Sequence, residues 1–177
     1  PKMFPVCDQH IRGVAMNTEE SVKVRVTRRF YIVPELVFDA WLDQELIGQW
    51  MFGDDEIVRI NMDARVGGSF SFVVRRNGQE LDHVGEYFDL MRPYRLVFSW
   101  GVRQDIGHKS RVLVDISRTE EGSMLTLIHK LHPDYAHYAA RTEAGWTRML
   151  GALAAALGCP SSELEHPKGV YLEDIKK

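Results

Sequence analysis

From Ser21 the chain alternates. Val22, Val24 and Val26 fall on one side of an extended backbone and Lys23, Arg25 and Thr27 on the other, and the run closes on Phe30. A period of two with β-branched residues predicts a strand with one buried face. The period then changes. Pro34 opens PELVFDAWL, whose Val37, Phe38, Trp41 and Leu42 are helically spaced, and proline suits the first turn of a helix. Asp43 is placed to cap a second short helix, DQELIGQWM, carrying Leu46, Ile47 and Trp50. Two short helices directly after a first strand are a topological marker.

Period two then returns. EIVRINM (56–62) alternates weakly, Gly67-Gly68 breaks the chain, and SFSFVVRR places Phe70, Phe72 and Val74 on one side. Asn77-Gly78 is the favoured two-residue hairpin turn, so Glu80 to Leu90 is expected to pair antiparallel with the strand before it. The pattern leaves open which side of that strand faces inward. Pro93 separates it from RLVFSWG, where Leu96, Phe98 and Trp100 share a side, and Gln104 to His108 reads as a loop. Ser110 to Arg118 and Ser123 to Leu131 form a last hairpin around Glu120-Glu121-Gly122, with Leu125, Leu127 and His129 on one side of its second strand.

Tyr138, Thr142, Trp146, Met149, Leu150, Leu153 and Leu157 recur at steps of three and four, which predicts one helix over 135–157 with an apolar face. Asp134 is expected to cap its start, and Gly158 with Pro160 to end it. The order β-α-α-β(five or six)-α defines an α+β fold in which a curved antiparallel sheet wraps the long C-terminal helix. Residues 1–20 and 159–177 show no such period. They are read as an N-terminal extension and a polar C-terminal tail around a domain at 21–158.

The composition is that of an ordinary globule: 177 residues, 45% hydrophobic and 27% charged, enough for one domain with a sizeable core. A net charge of -3 argues against a general nucleic-acid binder. No apolar stretch reaches the roughly 18 residues of a membrane span. Two cysteines, Cys7 and Cys159, are too few for a disulfide framework or a four-cysteine zinc site, and a reducing, cytoplasmic setting is expected.

FDAWLDQELIGQW, VGGSFSF, VGEYFDLMRPYRLVFSW, LTLIHKL and EAGWTRMLGALAAAL occur in an order that resembles the START-like helix-grip superfamily, also called SRPBCC or Bet v-like. Within it they are most similar to the branch named for the C-terminal domain of the activator of heat-shock-protein-ninety ATPase. The resemblance covers Ser21 to Leu157 and implies a hydrophobic cavity between sheet and long helix. Its members include ligand carriers, polyketide cyclases, toxin-sequestering resistance proteins and chaperone regulators. One departure is Met91-Arg92-Pro93, where relatives often have two prolines; only a loop is expected to change.

Trp41, Trp50, Phe70, Phe72, Phe98, Trp100 and Trp146 are mostly core in this reading, with a few lining the cavity. The preferred ligand-binding residues are Phe72, Phe98, Trp100 and Trp146, with His129 as the polar contact. Tyr87, Tyr138 and Met149 are further candidates, and His83 a weaker one. His129, His132 and His137 raise the question of a metal, but a strand points i and i+3 to opposite faces, so none is expected; nor is any cofactor. No Gly-x-Ser-x-Gly elbow is present, and Gly67-Gly68 precedes a strand rather than a helix, so it builds no phosphate cradle. Three functions follow. The first is a non-enzymatic carrier of a small hydrophobic or aromatic molecule, as monomer or homodimer. The second is a chaperone-activator-like module that docks a protein partner. The third is a cyclase-like or hydrolase-like enzyme using His129 with Glu86 or Asp82.

Overall fold

The computed structural model describes residues 21–159. The expected N-terminal extension and the tail from 160 onward lie outside the described residues. Strand β1 (Lys23–Phe30) leads into helices α1 (Pro34–Asp39) and α2 (Gln44–Trp50). Six strands follow: β2 (Glu56–Met62), β3 (Ser69–Arg76), β4 (Gln79–Met91), β5 (Arg95–Val102), β6 (Ser110–Thr119) and β7 (Gly122–Lys130). Helix α3 (Ala139–Ala156) closes the order. All seven strands form one antiparallel sheet in the order β1-β7-β6-β5-β4-β3-β2, and α3 packs against β1 and α2. The result is the expected α+β helix-grip architecture.

Local chemistry accounts for the boundaries. Asp43 accepts hydrogen bonds from the amides of Glu45 and Leu46 at 2.9 and 3.1 Å, which starts α2 where expected. Asn77-Gly78 makes the β3–β4 turn, with both residues at positive φ. At the end of α3, Gly158 adopts φ +71°, and the amide of Cys159 reaches back to the Ala154 carbonyl at 2.8 Å. This left-handed cap satisfies carbonyls that the helix leaves free. It also buries Cys159, the residue at which the sequence pattern starts the tail.

Three local expectations are corrected. The start of the long helix is a 3-10 turn over Pro133–Tyr138, and the α-helix proper begins at Ala139. Its cap is not Asp134 but the His132 side chain, whose Nδ1 accepts the Asp134 amide at 3.3 Å. Gln104 to His108, read as a loop, belongs to a 3-10 segment spanning Arg103–His108.

The open question of β4 is resolved by its pairing. His83 sits opposite Phe72, Gly85 opposite Phe70, and Tyr87 opposite Phe98, so the odd-numbered residues face inward. A register shift between Tyr87 and Asp89 then reverses the phase, and Leu90 pairs with Leu96. Such a bulge explains why no single alternation runs through the strand. Gly85 lies where the Phe70 ring crosses the sheet. A Cβ there would fall 2.0 Å from the Ser99 carbonyl oxygen and 2.3 Å from the ring.

Candidate functional site

Between the sheet and the helices lies an interior that mixes aliphatic side chains with a large cluster of aromatic rings. Trp41, from the turn after α1, meets Trp50 edge-on with centroids 4.8 Å apart, and Phe98 and Trp146 at 6.1 Å each. Phe70 stacks on Phe72 at 4.6 Å. Trp100 lies 5.8 Å from Phe70 and 5.9 Å from Trp146. These separations are those of favourable edge and offset packing. What remains between Trp41, Ile47, Met51, Tyr87, Leu96 and the Phe70–Phe72–Phe98–Trp100 group is a void of about 10 Å³. That is room for about one water, where a site for a small organic molecule needs hundreds of Å³.

The polar groups in this interior fall into two classes. His129 is fully partnered. Trp146 donates its indole N–H to His129 Nδ1 at 2.9 Å, and His129 Nε2 meets Ser110 Oγ at 2.5 Å. Ser110 Oγ in turn donates to the Trp100 carbonyl at 3.0 Å. Since Nδ1 accepts and the one hydroxyl hydrogen is spent on Trp100, the hydrogen on His129 must sit on Nε2. The chain indole, imidazole, hydroxyl, carbonyl is complete with a neutral ring. Burial alone pushes the His129 pKa down to about 4.

Other groups are orphaned. Trp41 Nε1 is buried with no hydrogen-bond partner among the described residues, and so are both ring nitrogens of His83. His83 is sandwiched between Phe52 and Trp100, 5.2 Å from each. Its pKa is also pushed down to about 4, first by burial and then by Arg76, against the opposing charges of Asp55 and Asp82. The Tyr87 hydroxyl, held in the same interior, has its pKa raised by burial. Buried groups without partners are rare in folded proteins.

Phe72, Phe98, Trp100 and Tyr87 border the void, and Trp41, Ile47, Met51, Phe70 and Leu96 complete its wall. Trp146 does not border the void but is buried directly against two residues that do, Trp41 and Trp100, and is bonded to His129. Met149 packs against the core but does not border the void. Tyr138 is corrected in its place on the helix: it is 42% exposed at the end of the 3-10 turn, its ring tilted against that of His137 with centroids 4.1 Å apart. That turn displaces it from the helical face to which its spacing assigned it. Neither acid considered with His129 is bonded to it. Asp82 accepts from Ser71 at 2.7 Å and from Arg103 at 2.5 Å, and Glu86 is exposed. A second, open groove of about 490 Å³ is bordered by Gln44, Asn61, Ser71, Arg103, Ile106 and Lys109, with polar and apolar surface mixed.

The residues missed from sequence have an identifiable signal. Ile47 and Met51 stand four apart on the second short helix and its end, so both belonged to the same inward face as Trp50. Trp41 was recognised as aromatic core. Its unpartnered N–H is a property of its neighbours and has no sequence trace.

Sheet, helix order and aromatic interior together define a START-like helix-grip protein of the SRPBCC superfamily. The chain belongs to the family described as Activator of Hsp90 ATPase homolog 1-like protein, whose model matches residues 32–158. No curated protein matches it significantly. Among solved structures, a protein from Chromobacterium violaceum is similar at 24% identity and TM-score 0.67, over 75% of this chain and 94% of that one. A protein of unknown function from Staphylococcus aureus is similar at 19% identity and TM-score 0.70, over 78% and 94%. An AHSA1-like protein from Aeromonas hydrophila gives 20%, 0.64, 77% and 92%. At these identities the likeness is one of fold. No helix among the described residues is long and apolar enough to cross a membrane.

Proposed function

We propose that this chain is a non-enzymatic binding protein whose aromatic interior opens to take a small, flat, apolar molecule carrying a hydrogen-bond acceptor. The observation that carries this reading is the orphaned Trp41 N–H at the wall of the void, with the unpartnered His83 nitrogens close by in the same aromatic stack. An acceptor on the ligand would satisfy the first; of the two His83 nitrogens a ligand donor would satisfy the one that accepts, and an acceptor or bridging water the one that carries the hydrogen. The closed interior is too small to hold such a molecule, so binding requires movement. The segment after α2 is the natural cover, since Met51 borders the void and Phe52 caps His83 without belonging to a helix or strand. Opening lowers the apparent affinity by the population of the open form. His129 supports a carrier rather than a catalyst, because both its nitrogens are already engaged.

The test is titration with a panel of aromatic ketones, phenols and flavonoid-like molecules, read by tryptophan emission, in wild type and Phe52→Ala. Removing the cover should raise affinity for bulkier members by about tenfold, a change of about 1.4 kcal/mol. No saturable binding in either protein would sink the carrier reading. The interaction-module reading would then take its place. It draws on one observation: Leu36, Met91 and Tyr94 are each more than half exposed, near the ion pair of Arg92 with Asp39 that joins α1 to the β4–β5 turn.

A further inference from the structure

At one end of the sheet the 3-10 segment between β5 and β6 meets the chain that enters α3. There His108, His132 and Asp134 bring one ligand atom each to within 4.8 Å of one another. His108 Nε2 lies 3.0 Å from Asp134 Oδ2, and His132 Nδ1 lies 3.5 Å from the same oxygen. Of the three histidines considered from sequence only His132 belongs to this cluster. His129 is buried in the core beside Trp146, and His137 is exposed beside Tyr138. His108 takes the place of those two, brought in from a segment more than twenty positions earlier.

The tautomers can be worked out from the bonds. His108 Nδ1 is hydrogen-bonded to Asp105. A carboxylate accepts only, so Nδ1 carries the hydrogen and, in the neutral ring, Nε2 presents its lone pair to Asp134. His132 Nδ1 spends its lone pair on the Asp134 amide at 3.3 Å, a long bond that a cation at this place would replace. Two imidazole nitrogens and a carboxylate oxygen therefore surround one small space. A proton on His108 Nε2 pairs that ring with Asp134 alone; a single cation in the middle engages all three residues.

We propose that His108, His132 and Asp134 bind one divalent transition cation of the zinc class. Zinc bonds of about 2.0–2.2 Å to nitrogen and oxygen imply ligand atoms about 3.3 Å apart in a tetrahedron; the two histidines stand 3.0 and 3.5 Å from Asp134, and all three ligand atoms lie within 4.8 Å of one another. Asp105 supplies the outer partner that such histidines have, fixing the ring and raising its basicity. Two carboxylates against one dication leave the site neutral. Three protein ligands leave the fourth position for water or an anionic group. The cation would fasten the β5–β6 connection to the start of α3. The proposal is independent of what the aromatic interior binds.

The experiment is calorimetric titration of zinc into the untagged full chain, with cobalt substitution followed by visible absorption. One zinc per chain is expected, and cobalt should show the intense bands of a four-coordinate site. His108→Ala and Asp134→Asn should each weaken zinc by about tenfold or more and abolish the cobalt bands; Asp105→Asn, which touches no metal, should weaken zinc by about tenfold. Far-ultraviolet circular dichroism confirms that each variant is folded. No zinc retained by the wild type, or equal affinity in wild type and His108→Ala, overturns the proposal. So does zinc binding that is lost when the cysteines are alkylated but kept in His108→Ala.

Discussion

The indole N–H of Trp146 is donated to His129 Nδ1 at 2.9 Å, which ties the middle of α3 to the inward side of β7. The bond is buried and has no water-exposed substitute, so it contributes to stability in proportion to what its loss would strand. Trp146→Phe keeps a ring but leaves Nδ1 without a donor, and should destabilise by about 2–3 kcal/mol. Trp146→Ala adds a cavity and should cost about 3–5 kcal/mol, towards the upper part of that range because Trp146 does not border the existing void. Urea denaturation measures both. A Trp146→Phe protein within about 0.5 kcal/mol of wild type would show that the bond contributes little.

How much of this was legible beforehand depended on whether neighbours in sequence or neighbours in space set the answer. Val24, Val26, Phe70, Phe72, Leu125 and Leu127 sit where period two put them, because each is decided by its own strand. The Asp43 cap and the Asn77-Gly78 turn are equally local. Tyr138 was misplaced because a 3-10 turn has three residues per turn, and helical spacing counted back from Trp146 fails there. The partners of His129 and the meeting of His108 with His132 depend on which strands adjoin. No periodicity carries that.

A pH prediction follows from the two buried histidines. Both have folded pKa values near 4 against an ordinary 6.5. Between those values the unfolded chain binds protons on these rings and the folded chain does not, so stability falls as pH falls. The contribution is fully present above about pH 6.5, is lost down to about pH 4, and then levels off. Each ring can account for about 3 kcal/mol. Denaturation midpoints measured from pH 7.5 to 4 should therefore drop continuously. A flat profile across that interval would mean that both rings are protonated without cost in the folded state.

Gly85 makes a sharper prediction about the sheet. Its missing side chain lets the Phe70 ring lie across β4, and the backbone oxygen of Ser99 leaves no room to yield. Gly85→Ala should destabilise by about 3 kcal/mol, more than overpacking a flexible core site. Gly85→Ala combined with Phe70→Leu should recover only the part due to the ring. Full recovery in the double variant would place the whole conflict on Phe70 and none on the backbone.

His83 separates stability from function most directly. It lies between Phe52 and Trp100 with both nitrogens buried and unpartnered, so its polar atoms contribute nothing to the folded chain by themselves. A phenyl ring has nearly the same shape and no polar atom to desolvate. His83→Phe should then stabilise the unliganded protein by about 1 kcal/mol at pH 7.5, since removing an unsatisfied buried group recovers part of its desolvation penalty. The gain should widen towards pH 4, because the variant also lacks the proton uptake of the unfolded imidazole. If the nitrogens serve a ligand, the same variant should lose affinity for donor-bearing aromatic molecules by about tenfold while keeping the preference for acceptors that Trp41 supplies. A destabilised His83→Phe protein would mean that the nitrogens are satisfied by solvent in the native state. Stabilisation with unchanged ligand selectivity would leave Trp41 as the only polar group addressing the ligand, and Trp41→Phe becomes the variant that should lose it.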